Sequence, residues 1–266
     1  MAIPICVVDA FATKAFQGNP AAVCFPSAEA SAPWMQAVAG ELALSETAFL
    51  LPRDDGSWAL RWFTPTREVD LCGHATLAAA HVLWETGRLD PSLPARFLTR
   101  SGWLHALRSD DGSVQLDFPA RPAMPCDVPG GLADAIGADI RWCGRSLEDL
   151  LVELPHASVV RGLAPDLGAL AALPVRGVIV TAASDVAGHD FVSRFFAPAV
   201  GVPEDPVTGS AHCTLGPFWA ARLGRASLRG LQASRRGGTV AVACQGERIL
   251  LAGAAVTTWR GEWIAR

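Results

Sequence analysis

The chain has 266 residues, of which 50% are hydrophobic and 18% are charged, a composition typical of globular proteins with packed cores. Its net charge of −4 at pH 7, without clustered Lys and Arg, argues against a nucleic-acid-binding protein. No apolar stretch is long enough for a membrane span, and the first residues lack the layout of a signal peptide. The 7 cysteines are scattered without a C-x-x-C pair. We therefore expect a cytoplasmic protein with free thiols in a reducing compartment.

The first half alternates β-branched and aromatic runs with turn signals. A helix is expected to start at Ser31-Ala32-Pro33 and to run through Leu42, because Pro is tolerated in a first turn. A second helix, over residues 73–87, is nearly all Ala, Leu and Val, so we predict that strands enclose it. Strands are predicted at residues 5–11, 21–25, 47–51, 58–63, 95–99, 104–107 and 114–118.

A proline-rich segment over residues 119–129 separates the two halves. Prolines remove backbone donors and favour an extended connector, so we place a domain boundary close to residue 120. This predicts one domain over residues 1–119 and another over residues 120–266, with the final strand able to pack back on the first. In the second half we predict helices at 132–136, 165–172 and 209–223, and strands at 150–153, 157–160, 177–181, 194–198, 231–234, 239–244, 248–251 and 254–259.

One pattern occurs twice, 133 residues apart. Arg61-Trp62-Phe63-Thr64-Pro65 precedes Gly73-His74-Ala75, and Arg194-Phe195-Phe196-Ala197-Pro198 precedes Gly209-Ser210-Ala211. Each copy combines a strand, a loop and a helix start, and the offset is half the chain, which predicts a duplicated domain. Two such halves facing each other would bring two helix N-termini to a central cleft. Their free N–H groups and dipoles favour a small anionic substrate.

Candidate catalytic groups precede the first of these helices. Glu46 borders the apolar run 48–51, where partial desolvation would help it both to take and to give a proton; a surface residue at a strand start is the equal alternative. Cys72 lies where a helix N-terminus favours a thiolate, although a buried, inert thiol is the commoner case. Gly73 allows close approach of a ligand to the backbone, and His74 could bind substrate or cap the helix.

The second helix start offers binding groups. Asp205, held before a proline, could accept a hydrogen bond from a substrate, and the amides of Gly209 and Ser210 could hold a carboxylate; a turn with an ordinary cap is the alternative. We predict no metal, because Cys72 and His74 lack further ligands at recognisable spacing. No cofactor is expected either. Glycine fingerprints for nucleotides are absent, and the single lysine, Lys14, lies in no motif that would make it a Schiff base.

Seven ordered motifs resemble the phenazine-biosynthesis PhzF-like family of the diaminopimelate epimerase-like superfamily. They run from the first predicted strand to Ala211, so the resemblance covers most of the chain. The motifs are Val8-Asp9-Ala10-Phe11, Gly18-Asn19-Pro20, Ser45-Glu46-Thr47, Arg61-Trp62-Phe63-Thr64-Pro65, Asp70-Leu71-Cys72-Gly73-His74-Ala75, Phe195-Phe196-Ala197-Pro198 and Glu204-Asp205-Pro206-Val207-Thr208-Gly209-Ser210-Ala211.

The resemblance implies an α+β fold of two similar domains, each a strongly curved, barrel-like sheet around a central helix, with the site between them. It also implies cofactor-free proton transfer and a homodimer. Glu46 matches the family's acid/base. The matches to substrate-contacting or cleft-lining positions are Asn19, Gly73, His74, Asp205, Gly209 and Ser210.

The chain departs from the two-cysteine epimerases of the superfamily at one position. Cys72 fits the first cysteine, but Thr208 occupies the second place, and its hydroxyl is too weak an acid to replace a thiol. The leading hypothesis is therefore an isomerase of a small amino or hydroxy acid, in which Glu46 removes a proton and returns it to another carbon. The alternatives are an epimerase or dehydratase that uses Cys72 with Glu46, and a catalytically silent protein that keeps the cleft for binding.

Overall fold

The computed structural model describes residues 2–264 of the chain as a mixed α+β structure. Its helices are α1 (Ala32–Leu42), α2 (Gly73–Glu85), α3 (Leu132–Ile136), α4 (Ala157–Gly162), α5 (Leu167–Ala171) and α6 (Gly209–Leu223), with a 3₁₀ turn at Pro198–Val200. Its strands are β1 (Ile3–Ala10), β2 (Asn19–Cys24), β3 (Glu46–Pro52), β4 (Trp58–Phe63), β5 (Glu68–Val69), β6 (Ala95–Thr99), β7 (Gly102–Arg108), β8 (Val114–Pro119), β9 (Met124–Pro125), β10 (Trp142–Arg145), β11 (Asp149–Glu153), β12 (Gly177–Ala183), β13 (Phe191–Ala197), β14 (Val202–Asp205), β15 (Ser227–Gln232), β16 (Gly238–Gln245), β17 (Arg248–Gly253) and β18 (Ala255–Trp263).

The chain divides into two compact units. The first unit contains the residues up to Asp117 and those from Ala252 onward, and the second unit is Phe118–Leu251. The predicted boundary at residues 119 and 120 lies two residues from this division. The predicted second domain includes the C-terminal segment. In the structure this segment belongs to the first unit, because β18 pairs with β1 along its length.

The first unit is built on strands in the order β18–β1–β2–β3–β4–β6–β7–β8. Neighbours are antiparallel except for two parallel pairs, β2 with β3 and β4 with β6. A parallel pair needs a crossover connection, and these are supplied by α1 and α2. The short strand β5 pairs with β4 and leads the chain to the start of α2.

Helix α2 is the centre of the first unit. It packs against β1, β2, β3, β7 and β18, and its residues are buried from His74 to Ala80 and again from Val82 to Trp84. Ala at four of these positions lets the strands approach closely. The prediction that strands enclose this helix is confirmed.

The second unit repeats this plan. Its strands run in the order β9–β10–β11–β12–β13–β15–β16, again with two parallel pairs, β11 with β12 and β13 with β15. Helices α4 and α5 make the first crossover and α6 makes the second. Strand β14 pairs with β13 as β5 pairs with β4. The internal repeat seen in the sequence is therefore a repeat of structure.

The repeated arginines make the same contact in each unit. Arg61 on β4 binds both carboxylate oxygens of Glu68 on β5, with N–O distances of 2.7 and 2.8 Å. Arg194 on β13 binds Glu204 on β14 in the same way, at 2.7 and 2.9 Å. Each pair joins the two strands that lead to a central helix, and a bidentate guanidinium–carboxylate contact fixes their relative orientation.

A proline lies inside helix α6. Pro217 has no N–H for the carbonyl of Cys213, four residues earlier, and a proline in a helix interior usually costs about 3 kcal/mol or more. The backbone N–H of Arg121 donates to that carbonyl instead, at 3.0 Å. The segment that leads into the second unit thus satisfies the acceptor that Pro217 leaves open.

The sequence analysis is wrong at one element. Residues 157–160 were predicted as a strand from their β-branched valines, but they form helix α4. Ala157 and Val160, one helical turn apart, are buried among the core residues of the second unit, so tertiary packing outweighs the local preference of the valines. The strands that the sequence analysis missed, β5, β9, β10 and β14, have two to four residues each.

Within residues 2–264, none of the helices has the length and hydrophobicity needed to cross a membrane.

Candidate functional site

A strained turn brings Asn19 into the interior of the first unit. Gly18 has φ of +65°, and a Cβ at this position would lie 2.1 Å from the carbonyl oxygen of Ala10, so only glycine fits. Two other residues of this turn, Phe11 and Phe16, also have positive φ, at 60° and 70°. The turn ends with Asn19 fully buried at the first position of β2.

Three further groups meet beside Asn19. Glu46 is the first residue of β3, and its side chain is 18% exposed. Cys72 precedes α2 as its N-cap, and His74 is in the first turn of that helix; both are buried. Parallel pairing places Ala21 of β2 opposite Glu46 of β3, which is why residues distant in sequence converge here.

His74 lies between the thiol and the carboxylate. Its Nε2 is 3.1 Å from Oε2 of Glu46, while its Nδ1 is 3.5 Å from Sγ of Cys72 and 3.3 Å from Nδ2 of Asn19. The imidazole therefore joins Cys72 to Glu46 through its two nitrogens. A ring held from both sides can orient Glu46 and exchange a proton with it.

The electrostatics of this group favour an ion pair. Burial lowers the pKa of His74, but the charges that Cys72 and Glu46 can carry raise it, and the resulting pKa lies well above the usual value. Burial, reinforced by the charge of Glu46, raises the pKa of Cys72, so this thiol is neutral at pH 7. The Glu46 carboxylate, 3.1 Å from Nε2, is the nearest counter-charge for a proton on His74.

The same three residues are a possible donor set for a metal ion. One ligand atom from each of Glu46, Cys72 and His74 lies within 4.8 Å of the others. The spacing of Cys72 and His74 in the sequence offers no third ligand, but the fold brings Glu46 to them. However, His74 faces Glu46 and Cys72 with different nitrogens, and one ion binds one nitrogen of an imidazole. All three could ligate one ion only after the ring moved. The absence of a metal stays a prediction.

In the second unit, the N-terminus of α6 holds a polar network. The hydroxyl of Thr208, the N-cap residue, donates to Oδ2 of Asp205 at 2.6 Å. Gln232 at the end of β15 accepts from the Thr208 backbone N–H at 2.9 Å and donates to the Asp205 carbonyl at 2.8 Å. These bonds fix the Asp205 carboxylate at the start of the helix, beside the N-cap residue Thr208.

An arginine completes this network. Arg176, just before β12, binds both carboxylate oxygens of the buried Asp149 and donates to Oγ of Ser210 at 3.1 Å. Its guanidinium also stacks on the ring of Phe195, 5.3 Å from the centroid. Because Asp149 matches the charge of Arg176, the groups that suit an anionic ligand here are the free backbone amides of the first turn of α6.

A second buried histidine lies one turn into α6. Nδ1 of His212 is 2.8 Å from the carbonyl oxygen of Thr208, and Nε2 has no hydrogen-bond partner among the described residues. Burial lowers the pKa of His212 to about 4, although the Thr208 carbonyl opposes this shift. His212 is therefore neutral at pH 7, and it contributes to the packing of the unit and not to its charge.

The predicted site residues thus form one group in each unit. Asn19, Glu46, Cys72 and His74 surround the start of α2 at Gly73. Asp205 and Ser210 flank the start of α6 at Gly209. Sequence reasoning missed Arg176, Asp149 and Gln232, which come from other strands. No local motif marks them; only the strand pairing brings them to the helix.

Comparison with known proteins gives matches along almost the whole chain. The family described as "Phenazine biosynthesis-like protein" matches residues 8–261. A Halalkalibacterium halodurans protein named as an uncharacterized isomerase is 48% identical over 263 residues, which is 98% of each chain. The crystal structure of an Enterococcus faecalis protein of the PhzF family superimposes with a TM-score of 0.95 at 39% identity, covering 100% of both chains. A hydroxyproline epimerase from Agrobacterium vitis, 13% identical with a TM-score of 0.62 and coverage of 98% and 92%, shares the fold alone.

Proposed function

Because the chain belongs to the phenazine biosynthesis-like (PhzF) family, we propose that it is an isomerase of a small carboxylic acid that transfers a proton without a cofactor. The substrate class is an amino or hydroxy acid with an acidified C–H bond. The observation that carries the proposal is the contact between Glu46 and His74, because it supplies a carboxylate base with a protonated partner in an enclosed position.

Glu46 is the proposed acid/base. Its carboxylate accepts the proton from one carbon of the substrate and, as a carboxylic acid, returns it to a different carbon, so the product is an isomer and no atom is lost. Glu46 lies at the start of β3 with its side chain mostly enclosed, so a proton can be transferred at a position partly shielded from water.

His74 is the proposed partner of that base. As an imidazolium it lies 3.1 Å from the Glu46 carboxylate and stabilises the ionised base by charge attraction. Once Glu46 is protonated, the positive charge on His74 has lost its closest counter-ion and can stabilise negative charge that develops on the substrate. His74 thus acts in both halves of the proton transfer.

Each unit has groups suited to the substrate carboxylate. The backbone amides that start α2 at Gly73 and α6 at Gly209 are donors with the helix dipole behind them. In the second unit Arg176 lies beside Ser210, and Asp205 can accept a hydrogen bond from a substrate amine or hydroxyl. These groups support an amphoteric ligand that carries both an acid and a donor.

A two-step experiment tests the proposal. Thermal shift with a panel of small amino and hydroxy acids identifies ligands, and NMR in heavy water then follows each ligand with the enzyme. We expect deuterium at a carbon different from the one that loses hydrogen, together with an isomeric product. Deuterium at the original stereocentre with inversion would replace isomerisation by epimerisation, and binding without any exchange would show a silent binding protein.

The second candidate is the epimerase or dehydratase that pairs Cys72 with Glu46. The contact of 3.5 Å between Sγ of Cys72 and Nδ1 of His74 favours it, because His74 could pass a proton between the thiol and the carboxylate. Thr208 at the corresponding position of the second unit speaks against two-thiol chemistry. Inactivation by a thiol reagent that is prevented by substrate would favour this candidate.

The family resemblance also implies an assembly state. We propose a homodimer in the cytoplasm, as expected from the resemblance and from the unpaired cysteines of the sequence. Light scattering on the purified full chain measures the first, and fractionation of cells that express it tests the second.

A further inference from the structure

Two cysteines of the second unit lie side by side, Cys143 on β10 and Cys126 just after β9. Strands β9 and β10 are antiparallel, with Pro125 opposite Gly144. The next residue along, Cys126, donates its backbone N–H to the carbonyl of Cys143 at 3.1 Å. The two sulfur atoms are 3.8 Å apart.

This placement suits a covalent bond between the sulfurs. Directly opposite residues in a hydrogen-bonded antiparallel pair have Cα atoms about 5.5 Å apart, within the range of about 4.4–6.8 Å that disulfides span. The sulfurs would have to approach to about 2.05 Å, a movement that side-chain rotation can supply. Cys126 is exposed, so a small oxidant can reach it, whereas Cys143 is buried directly behind it.

We propose that Cys126 and Cys143 form a reversible disulfide, with a low-molecular-weight disulfide such as oxidised glutathione as the oxidant. The Cys126 thiolate attacks one sulfur of the oxidant, which releases one thiol and leaves a mixed disulfide on Cys126. The Cys143 thiol then loses its proton to water and attacks Sγ of Cys126, releasing the second thiol. Two protein thiols are oxidised and one external disulfide is reduced to two thiols.

The order of attack follows from the surroundings of the two thiols. Burial, together with the neighbouring Cys126, raises the pKa of Cys143 to about 12, so Cys143 is a poor first nucleophile. It attacks only after Cys126 carries a leaving group at close range. In a reducing compartment the pair is then expected to be mostly reduced, and to oxidise when the thiol pool does.

The disulfide would link the segment that begins the second unit covalently to strand β10. The segment that contains Cys126 also carries Arg121, whose backbone N–H satisfies the Cys213 carbonyl of α6. A disulfide that holds this segment on β10 restricts the unfolded chain and keeps the donor in place. It lies outside the proposed proton-transfer group, so the inference does not depend on the proposed function.

Titration of the full-length protein with mixtures of reduced and oxidised glutathione tests the proposal. Trypsin cuts after Arg141 and Arg145 and so separates the two cysteines. We expect the peptide 142–145, which carries Cys143, to appear linked to the peptide that carries Cys126, with loss of two hydrogens. Oxidation should raise the melting temperature by about 5 °C or more, as expected for closing a short loop, and dithiothreitol should reverse both changes.

Single variants separate this bond from general thiol oxidation. Cys143→Ser should trap one glutathione on Cys126, Cys126→Ser should give no linked peptide, and both should lose the shift in melting temperature. Cys244→Ser, which removes a half-buried thiol elsewhere in the unit, should behave like the wild type. Absence of the linked peptide under fully oxidising conditions, links to Cys244 at equal yield, or only intermolecular links would overturn the proposal.

Discussion

The two units have the same strand order and the same central helix, but they place different chemistry at the start of that helix. Cys72 and His74 in the first unit correspond to Thr208 and Ser210 in the second, by their positions before and within the first turn. The first unit thus has groups that titrate where the second has hydroxyls.

The side chains that contact His74 and Ser210 also differ between the two units. His74 contacts the carboxylate of Glu46, whose side chain is mostly enclosed. Ser210 instead contacts Arg176, whose charge is already matched by Asp149. Under the proposed function, proton transfer belongs to the first unit and recognition to the second. Substitutions that break or exchange this asymmetry test it.

The largest effect is expected for Glu46→Gln. Loss of a positioned acid/base should lower kcat by about 10²–10⁴, while the amide keeps the shape of the side chain and leaves folding and ligand binding largely intact. Steady-state kinetics on a substrate found by the screen, with a thermal melt of the same preparation, measures both. Glu41→Gln, which changes an exposed glutamate of the same unit, is the matched control and should be unaffected. Near-normal turnover in the Glu46 variant would move the base to Asp205 or Cys72.

The two buried histidines should respond to pH in opposite ways, and for His212 the expected effect is a loss of stability at low pH. Its pKa is about 4 in the folded chain against 6.5 for an ordinary histidine. Between about pH 6.5 and pH 4 the unfolded chain binds a proton at His212 and the folded chain does not. The free energy of unfolding therefore falls as the pH drops through this range, by up to about 3 kcal/mol. Urea unfolding of wild type and His212→Asn at pH 7.5 and 5 measures it. Equal pH slopes for the two proteins would contradict the burial of a neutral His212.

For His74 the sign is reversed. Its folded pKa lies above the ordinary value of 6.5, so the protonated form adds stability that is fully present below pH 6.5 and is lost as the pH rises through the folded pKa. NMR of ¹⁵N-histidine-labelled protein should show the His74 imidazolium at pH 7.5, and Glu46→Gln should lower its titration midpoint. An unchanged midpoint in that variant would mean that Glu46 does not hold the proton.

The smallest effect is expected for Cys72→Thr, which gives the first unit the residue of the second. A neutral thiol that only contacts His74 can be replaced with a loss in kcat below about fivefold, because the base and its imidazolium partner remain. Cys72→Ser is the smaller change and should lose less. A loss as large as that of Glu46→Gln would instead make Cys72 a proton carrier and favour the epimerase-like candidate.

Much of the fold could be predicted because its signals are local. Alternating apolar runs and turn residues give most strands, and the Ala-rich composition of residues 73–85 correctly predicts an enclosed helix. The failures have physical causes. Ala157–Gly162 is a helix because its buried face is determined by neighbouring strands, and strands as short as β9 depend on a partner for their hydrogen bonds.

The site was predictable only in part for the same reason. Glu46, His74 and Asp205 lie in recognisable motifs, but the 3.1 Å contact between Glu46 and His74 depends on the pairing of β2 with β3. Arg176 and Gln232 lie in no recognisable motif. They reach the start of α6 only because the pairing of β12, β13 and β15 brings them there. The contact between Cys126 and Cys143 also depends on the fold, since their spacing in the sequence resembles no redox motif.

The pairing of β18 with β1 has a consequence for how the protein is made. Ile3 pairs with Trp263, so the first unit needs a strand that the ribosome produces only after the whole second unit. The second unit, Phe118–Leu251, is one continuous stretch and can fold as soon as it emerges. The unit made first should therefore be completed last. Until then the nascent chain carries an unfinished sheet edge at β1, the kind of edge on which aggregation starts.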